Sequence, residues 1–298
     1  MRVVRWLSAV IAFAVSLAMA SGGPAIADSL DYSVGPQYVT THVYVPAAVF
    51  DRFIASLTAT FGGKTSTKGT LQVTPTTSKT MSQLALTPSG TISAFGYVTP
   101  VPFPFASEHY GYLVTNLEAA TAAAQASGAS LVVAPFNDPI GKDAVVAWPG
   151  GVVMQLYWHT TAPNYPKLAF EPEHRVYVAP DRADEFVRDF LSFSHGKVVS
   201  DNATAAGVEI GRPGDTYRRI RITSGYGKMQ VIVTDGHLPF PFGHESTGYQ
   251  VNDLDATLVK AKGAGAKALV PAFNSDGRRS ALLEFPGGYV AEVHMVEK

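Results

Sequence analysis

The tetrapeptide Pro102-Phe103-Pro104-Phe105 recurs as Pro239-Phe240-Pro241-Phe242, and the spacing 239 − 102 = 137 then holds without a gap to Tyr157 and His294. Phe136-Asn137 meets Phe273-Asn274 at that spacing, and Pro149-Gly150-Gly151 meets Pro286-Gly287-Gly288. Upstream, Val43-Tyr44-Val45 meets Val176-Tyr177-Val178 at 176 − 43 = 133. A repeat of this length demands that one supersecondary plan be built twice from one chain. The sequence divides into two similar halves, 28–161 and 170–298, joined by a Pro- and Asn-bearing linker over 162–169.

Both halves follow the same order of elements. Alternating apolar residues predict a strand over Tyr38–Val45, with Thr40, His42 and Tyr44 on its polar face. A helix is expected over Ala47–Thr60, stopped by Gly62-Gly63, and a β-rich stretch over Lys64–Tyr97. The order then restarts with a strand at His109–Val114, a helix capped by Asn116 and ended near Gly128, and a strand at Ser130–Ala134. Two more strands, Asp143–Trp148 and Val152–Trp158, meet at the Pro149-Gly150-Gly151 turn. The plan is β-α-β-β-β, twice per half.

Composition narrows the chemistry. Hydrophobic residues make up 46% and charged residues 16%, a globular balance. The formal net charge of −1 gives no electrostatic footprint for nucleic acid. With no cysteine, disulfides, thiolate metal sites and a Cys nucleophile are excluded. Arg2 and Arg5 precede an uncharged apolar run that ends before Ala25-Ile26-Ala27, the pattern of a signal peptide over residues 1–27. A periplasmic or secreted protein is expected, with no membrane association after cleavage.

The stretches His109-Tyr110-Gly111-Tyr112-Leu113-Val114-Thr115-Asn116-Leu117-Glu118 and Pro149-Gly150-Gly151-Val152-Val153-Met154-Gln155-Leu156-Tyr157, with their counterparts in the second half, resemble the vicinal oxygen chelate superfamily. That superfamily includes glyoxalase I, bleomycin-resistance proteins and extradiol dioxygenases. The resemblance implies an α+β fold of tandem domains, each built from two βαβββ modules that form an eight-stranded open cup. It also implies one divalent metal ion (Zn, Mn, Ni or Fe) at the cup floor, chelating adjacent oxygens of a small-molecule substrate.

Carried onto this sequence, the metal candidates are His42, His109, Gln155 and His159 in the first half. His109 matches the ligand position of the second module, and Gln155 stands where the family usually has Glu. The first-strand ligand falls nearer Thr40 than His42. In the second half Arg175 replaces His42 and Ser246 replaces His109, while Glu292 keeps the carboxylate and is the catalytic candidate. Tyr44, Tyr157, Arg175, Asn137 and Asn274 are candidate ligand-binding residues, Arg175 for an anionic group. The altered ligand positions leave two functions open. One is a metal-free cup that binds a small organic ligand. The other is a metal-dependent lyase, isomerase or dioxygenase acting on vicinal oxygens, with a nearby Glu or His moving a proton. The first half is expected to carry the chemistry.

Overall fold

The computed structural model describes residues 31–297; the expected signal peptide lies outside the described residues. Strand β1 (Thr40–Pro46) leads through a short 3-10 turn into helix α1 (Phe50–Phe61). Phe50, Phe53, Ile54, Leu57 and Phe61 recur at helical spacing and are buried, and Gly62 at φ 78° ends the helix. Strands β2 (Lys64–Thr65), β3 (Gly69–Leu71), β4 (Thr80–Thr87) and β5 (Gly90–Tyr97) complete the first module. The second module runs β6 (Tyr110–Leu113), α2 (Leu117–Ala126), β7 (Ser130–Asn137), β8 (Gly141–Trp148) and β9 (Val152–His159). The Asn116 side chain accepts a hydrogen bond from the Ala119 amide at 2.9 Å, as the expected cap requires. Gly150 and Gly151 take φ 84° and 82° in the hairpin turn, a backbone region open to glycine.

The second half repeats the plan: β10 (Glu173–Val178), α3 (Pro180–Ser194), β11 (Lys197–Ala206), β12 (Thr216–Ser224), β13 (Gly227–Val233), β14 (Thr247–Gln250), α4 (Leu254–Gly263), β15 (Lys267–Ser275), β16 (Arg278–Glu284) and β17 (Val290–Val296). Its strand order, β11-β12-β13-β10-β14-β17-β16-β15, has the same form as the first sheet's β2-β4-β5-β1-β6-β9-β8-β7. The first sheet departs from the expected eight strands by one. Where β11 runs unbroken through two bulges, its counterpart stops after Thr65 and re-forms as β3 against β4, a ninth short strand.

The helices line the space between the two sheets, and the apolar cores cross between halves. One core joins α2, β6, β8 and β9 to α3, β12 and β13, with Trp148 edge-on to Phe190 and Phe193 stacked on Tyr226. The other joins α1, β1 and β5 to α4, β16 and β17, with Phe61 beside Phe285 and Tyr249. At the centre, His174 stacks on Tyr110 at 4.0 Å and its Nδ1 lies 3.0 Å from the Tyr112 hydroxyl. Thr41 and Thr247, related to His174 and Tyr110 by the repeat, meet at 3.1 Å. His174 shares the apolar parity of Val176, as its strand position requires. Because the helix-facing sides are buried between the halves, the two concave faces are directed away from each other.

Candidate functional site

The floor of the first cup is set by strand pairing. Thr40 lies opposite Gly111, and Gly111 opposite Gln155. His42 lies opposite Ser93, and Tyr44 opposite Phe95. Gly111 is what lets the His42 imidazole sit on the floor: a β-carbon there would lie 2.3 Å from His42 Nε2. Gly248 plays the same part in the second cup, 2.6 Å from Glu292 Oε2 by the same construction.

Over this floor the first cup encloses a cavity of about 410 Å³. Of the sequence candidates, His42, Tyr44, Gln155, Tyr157 and His159 line it together. Leu71, Val73, Leu84 and Phe95 supply apolar wall, and Tyr44 stacks on Phe95 at 4.8 Å. The interdomain segment expected as a plain linker closes part of the mouth. Tyr165 lines the cavity and packs 5.6 Å from Tyr38, and Gln37 accepts a hydrogen bond from the Leu168 amide while donating to the Pro166 carbonyl.

Two acidic residues that strand alternation did not expose complete the site. Asp143, 5% accessible, lines the cavity from β8, opposite Tyr157. Burial, then the nearby Asp138 and Glu108 charges, push its carboxyl well above the usual carboxylate range, with Gln155 pulling the other way. Glu108, fully buried, accepts a hydrogen bond from Tyr44, and its Oε1 is 3.8 Å from His42 Nδ1. Burial and the Glu108 charge push the Tyr44 hydroxyl well above its ordinary range. His42 Nδ1 and Glu108 Oε2 are buried without a hydrogen-bond partner.

The remaining candidates stand elsewhere. His109 is exposed and lines a separate cavity of about 230 Å³ with Arg175, His244 and Glu245. Strand alternation aimed it into the cup, but β6 begins only at Tyr110, so His109 belongs to the preceding loop. Asn137 and Asn274 are exposed at the ends of the edge strands β7 and β15 and line neither cup. A surface groove of about 510 Å³ between α1 and the Pro286 turn carries only outward charges such as Arg52 and the Lys267–Glu284 pair.

The second cup is filled by its own side chains, leaving about 20 Å³. Glu173 accepts two hydrogen bonds from Arg278, at 2.7 and 3.1 Å. Arg219 donates to Glu209 at 2.6 and 2.7 Å and to Asp276 at 2.8 Å, and Arg221 reaches Asp276 at 2.6 Å. Glu209 sits on a 3-10 turn, Gly207–Ile210, that follows β11 and turns into the cup. Burial alone would raise the Glu173 carboxyl, but Arg278 holds it at about 2. Arg175, expected to offer a cation to an anionic ligand, lies 3.4 Å from Glu245, while Tyr177 also donates to that carboxylate. Glu292 is 2.8 Å from His294 Nδ1, in a mutual pair closed off from any ligand-sized space.

The donors of the first cup do not fit the metal set that the resemblance implies. Gln155 is neutral, His109 is outside the cup, and Thr40 replaces the first-strand ligand. Among the described residues no three His, Asp or Glu side chains converge as a metal-holding group.

No protein-family model matches the chain, and no curated protein matches it. Solved structures do. A mutant of 4-hydroxymandelate synthase from Streptomyces coelicolor superposes with a TM-score of 0.56 at 12% identity, covering 87% of this chain and 91% of its own. The Mn(II)-bound glyoxalase from Novosphingobium aromaticivorans gives 0.55 at 12%, covering 89% and 83%. The 2,3-dioxygenase LapB from Pseudomonas sp. KL28 gives 0.50 at 14%, covering 87% and 91%. At such identities the likeness speaks for the fold and not for an activity. The curled sheets, their strand order and these likenesses together show that the chain has the fold of the vicinal oxygen chelate superfamily.

Proposed function

We propose that this protein binds a small organic molecule with an apolar or aromatic body in the first cup, without a metal ion, while the second cup serves as structure. The contrast between a cavity of about 410 Å³ and one of about 20 Å³ at equivalent places in the two sheets carries this reading. A pocket of several hundred Å³ with mixed apolar wall and a few polar groups suits such a ligand. The test is a thermal-shift screen of aromatic compounds against wild type and a Ser93→Trp variant, which places an indole between His42 and Leu84. A ligand held at a hundred times its Kd is expected to stabilise wild type by about 2.7 kcal/mol and to lose that effect in the variant. Equal stabilisation of both proteins would refute a ligand site in the first cup.

Loading with Zn, Mn, Ni and Fe(II) in turn is expected to leave no stoichiometric metal after desalting. A retained ion that is lost in His42→Ala would instead favour metal-dependent chemistry on vicinal oxygens.

We further propose a site of action in the periplasm or outside the cell, supported by the Arg-flanked apolar run before Ala25-Ile26-Ala27. The intact mass of exported protein is expected to begin after Ala27, and a mass that still includes Met1 would end that proposal.

A further inference from the structure

The two cups are built on one plan, so positions on their regularly paired strands have counterparts in each other. The four arginines of the filled cup, Arg175, Arg219, Arg221 and Arg278, correspond to His42, Ser82, Leu84 and Gly141 in the open one, at the repeat spacings 175 − 42 = 133 and 219 − 82 = 137. Strand register agrees: Arg219 pairs across to Ile232 and on to Tyr177, as Ser82 does to Phe95 and on to Tyr44. The first cup is therefore the second with its guanidinium groups taken out.

Three of its acids went with them, Glu173, Asp276 and Glu292 having Thr40, Pro139 and Gln155 as counterparts, but one carboxylate stayed and two were gained. Glu108 is the counterpart of Glu245, and Asp143 and Asp138 are added. Among the described residues, none of these three carboxylates has a Lys or Arg within ion-pair distance. In the second cup Glu173, Glu209, Glu245 and Asp276 each have an arginine. Lys68, the one Lys or Arg among the residues lining the first cup, pairs with Asp51 at 2.7 Å. His42, 5% accessible and lining the cavity, has an unpartnered Nδ1, and Glu108 has an unpartnered Oε2. A buried carboxylate without a counter-charge is costly, and aromatic faces attract cations. Tyr44, Phe95, Tyr157 and Tyr165 supply such rings around the same space.

We infer that the ligand of the first cup is an organic cation, an amine or guanidinium on an apolar body, whose charge takes the place that arginine side chains hold in the second cup. Asp143 is the carboxylate that faces it, Tyr44 and Phe95 form the aromatic wall, and Glu108 holds Tyr44 in position. This inference rests on the ligand-cup reading above and names the ligand class within it. A cation bound beside Asp143 favours the ionised carboxyl, so its binding releases a proton.

The experiment is calorimetric titration of the full mature chain with benzylguanidine, its uncharged isostere benzylurea, and phenylacetate. Benzylguanidine is expected to bind about tenfold or more tightly than benzylurea, and phenylacetate not at all. Asp143→Asn is expected to bring the guanidine-to-urea ratio close to one. Leu84→Arg, which restores the counterpart of Arg221, is expected to abolish benzylguanidine binding, with folding of both variants checked by near-UV circular dichroism. Tighter binding of benzylurea or phenylacetate, or an unchanged ratio in Asp143→Asn, would overturn the cationic ligand while leaving the ligand cup standing. Failure of all three probes to bind in wild type would overturn both.

Discussion

His174 is expected to make stability fall as the pH drops below about 6.5. Burial, with a smaller contribution from the charge of His42, holds its imidazole at about 3, against an ordinary 6.5. In the unfolded chain it takes up a proton below 6.5, whereas in the folded chain it stays neutral until about 3. At this group the unfolded state thus binds more protons between those values, so its contribution is full above 6.5 and is lost progressively as pH falls toward 3. The loss integrates to something on the order of 4 kcal/mol, a large part of the stability of an ordinary domain. Its cause is the place of the ring, stacked on Tyr110 and bonded to Tyr112 where the two halves meet. Urea titrations at stepped pH should show this slope in wild type and a much flatter one in His174→Gln. An equal slope in the variant would assign it to other groups, among them His109 and His159, both also lowered by burial.

The second large effect is expected from Arg278→Ala. Glu173 is 4% accessible and takes both its short hydrogen bonds from Arg278, and the nearest other guanidinium nitrogen, Arg221 Nε, is 4.0 Å away. Removing one partner of a buried pair strands the other charge, at a cost of roughly 3 kcal/mol once the partial exposure of Arg278 is allowed for. The paired change Glu173→Thr with Arg278→Met should recover most of that, because no charge is left unpaired. The pH dependence provides a second check. The Glu173 carboxyl is held at about 2 against an ordinary 4.5, so its stabilisation is present above 4.5 and is lost as pH falls toward 2. The gap between Arg278→Ala and wild type should therefore narrow as pH drops below 4.5. A gap that is constant across that range would mean the pair contributes nothing through its charge.

Much of this architecture is legible in the residues. The repeat carried the β-α-β-β-β plan, the Pro-Gly-Gly turns and the Asn116 cap, and alternation placed Thr40, His42, Tyr44, Gln155, Tyr157 and His159 on one face because their strands are regular. Where the backbone is irregular, alternation has nothing to work on. Glu108 and His109 follow the Pro-Phe-Pro-Phe loop just before β6, and there the buried residue is the glutamate and the exposed one the histidine. The matching Glu108 and Glu245 at the repeat spacing were the available signal. Alternation starts the strand at Asp143, whereas it begins at Gly141, which leaves the carboxylate inside the strand and not at its edge. Arg219 and Arg221 share a strand face, as their spacing shows, but a solvated face and a buried ion-pair network have the same pattern. Only Glu209 and Asp276, brought in from distant loops, decide between them.

The crossing of the two apolar cores makes the halves thermodynamically inseparable. Each core takes one wall from each half, so neither half owns a complete interior, and severing the chain between them would expose both walls at once. The duplicated cups therefore melt together or not at all. A change that loosens the packing behind the filled cup, such as at Phe190 or Phe285, weakens the support of the open one, although the two concave faces never meet.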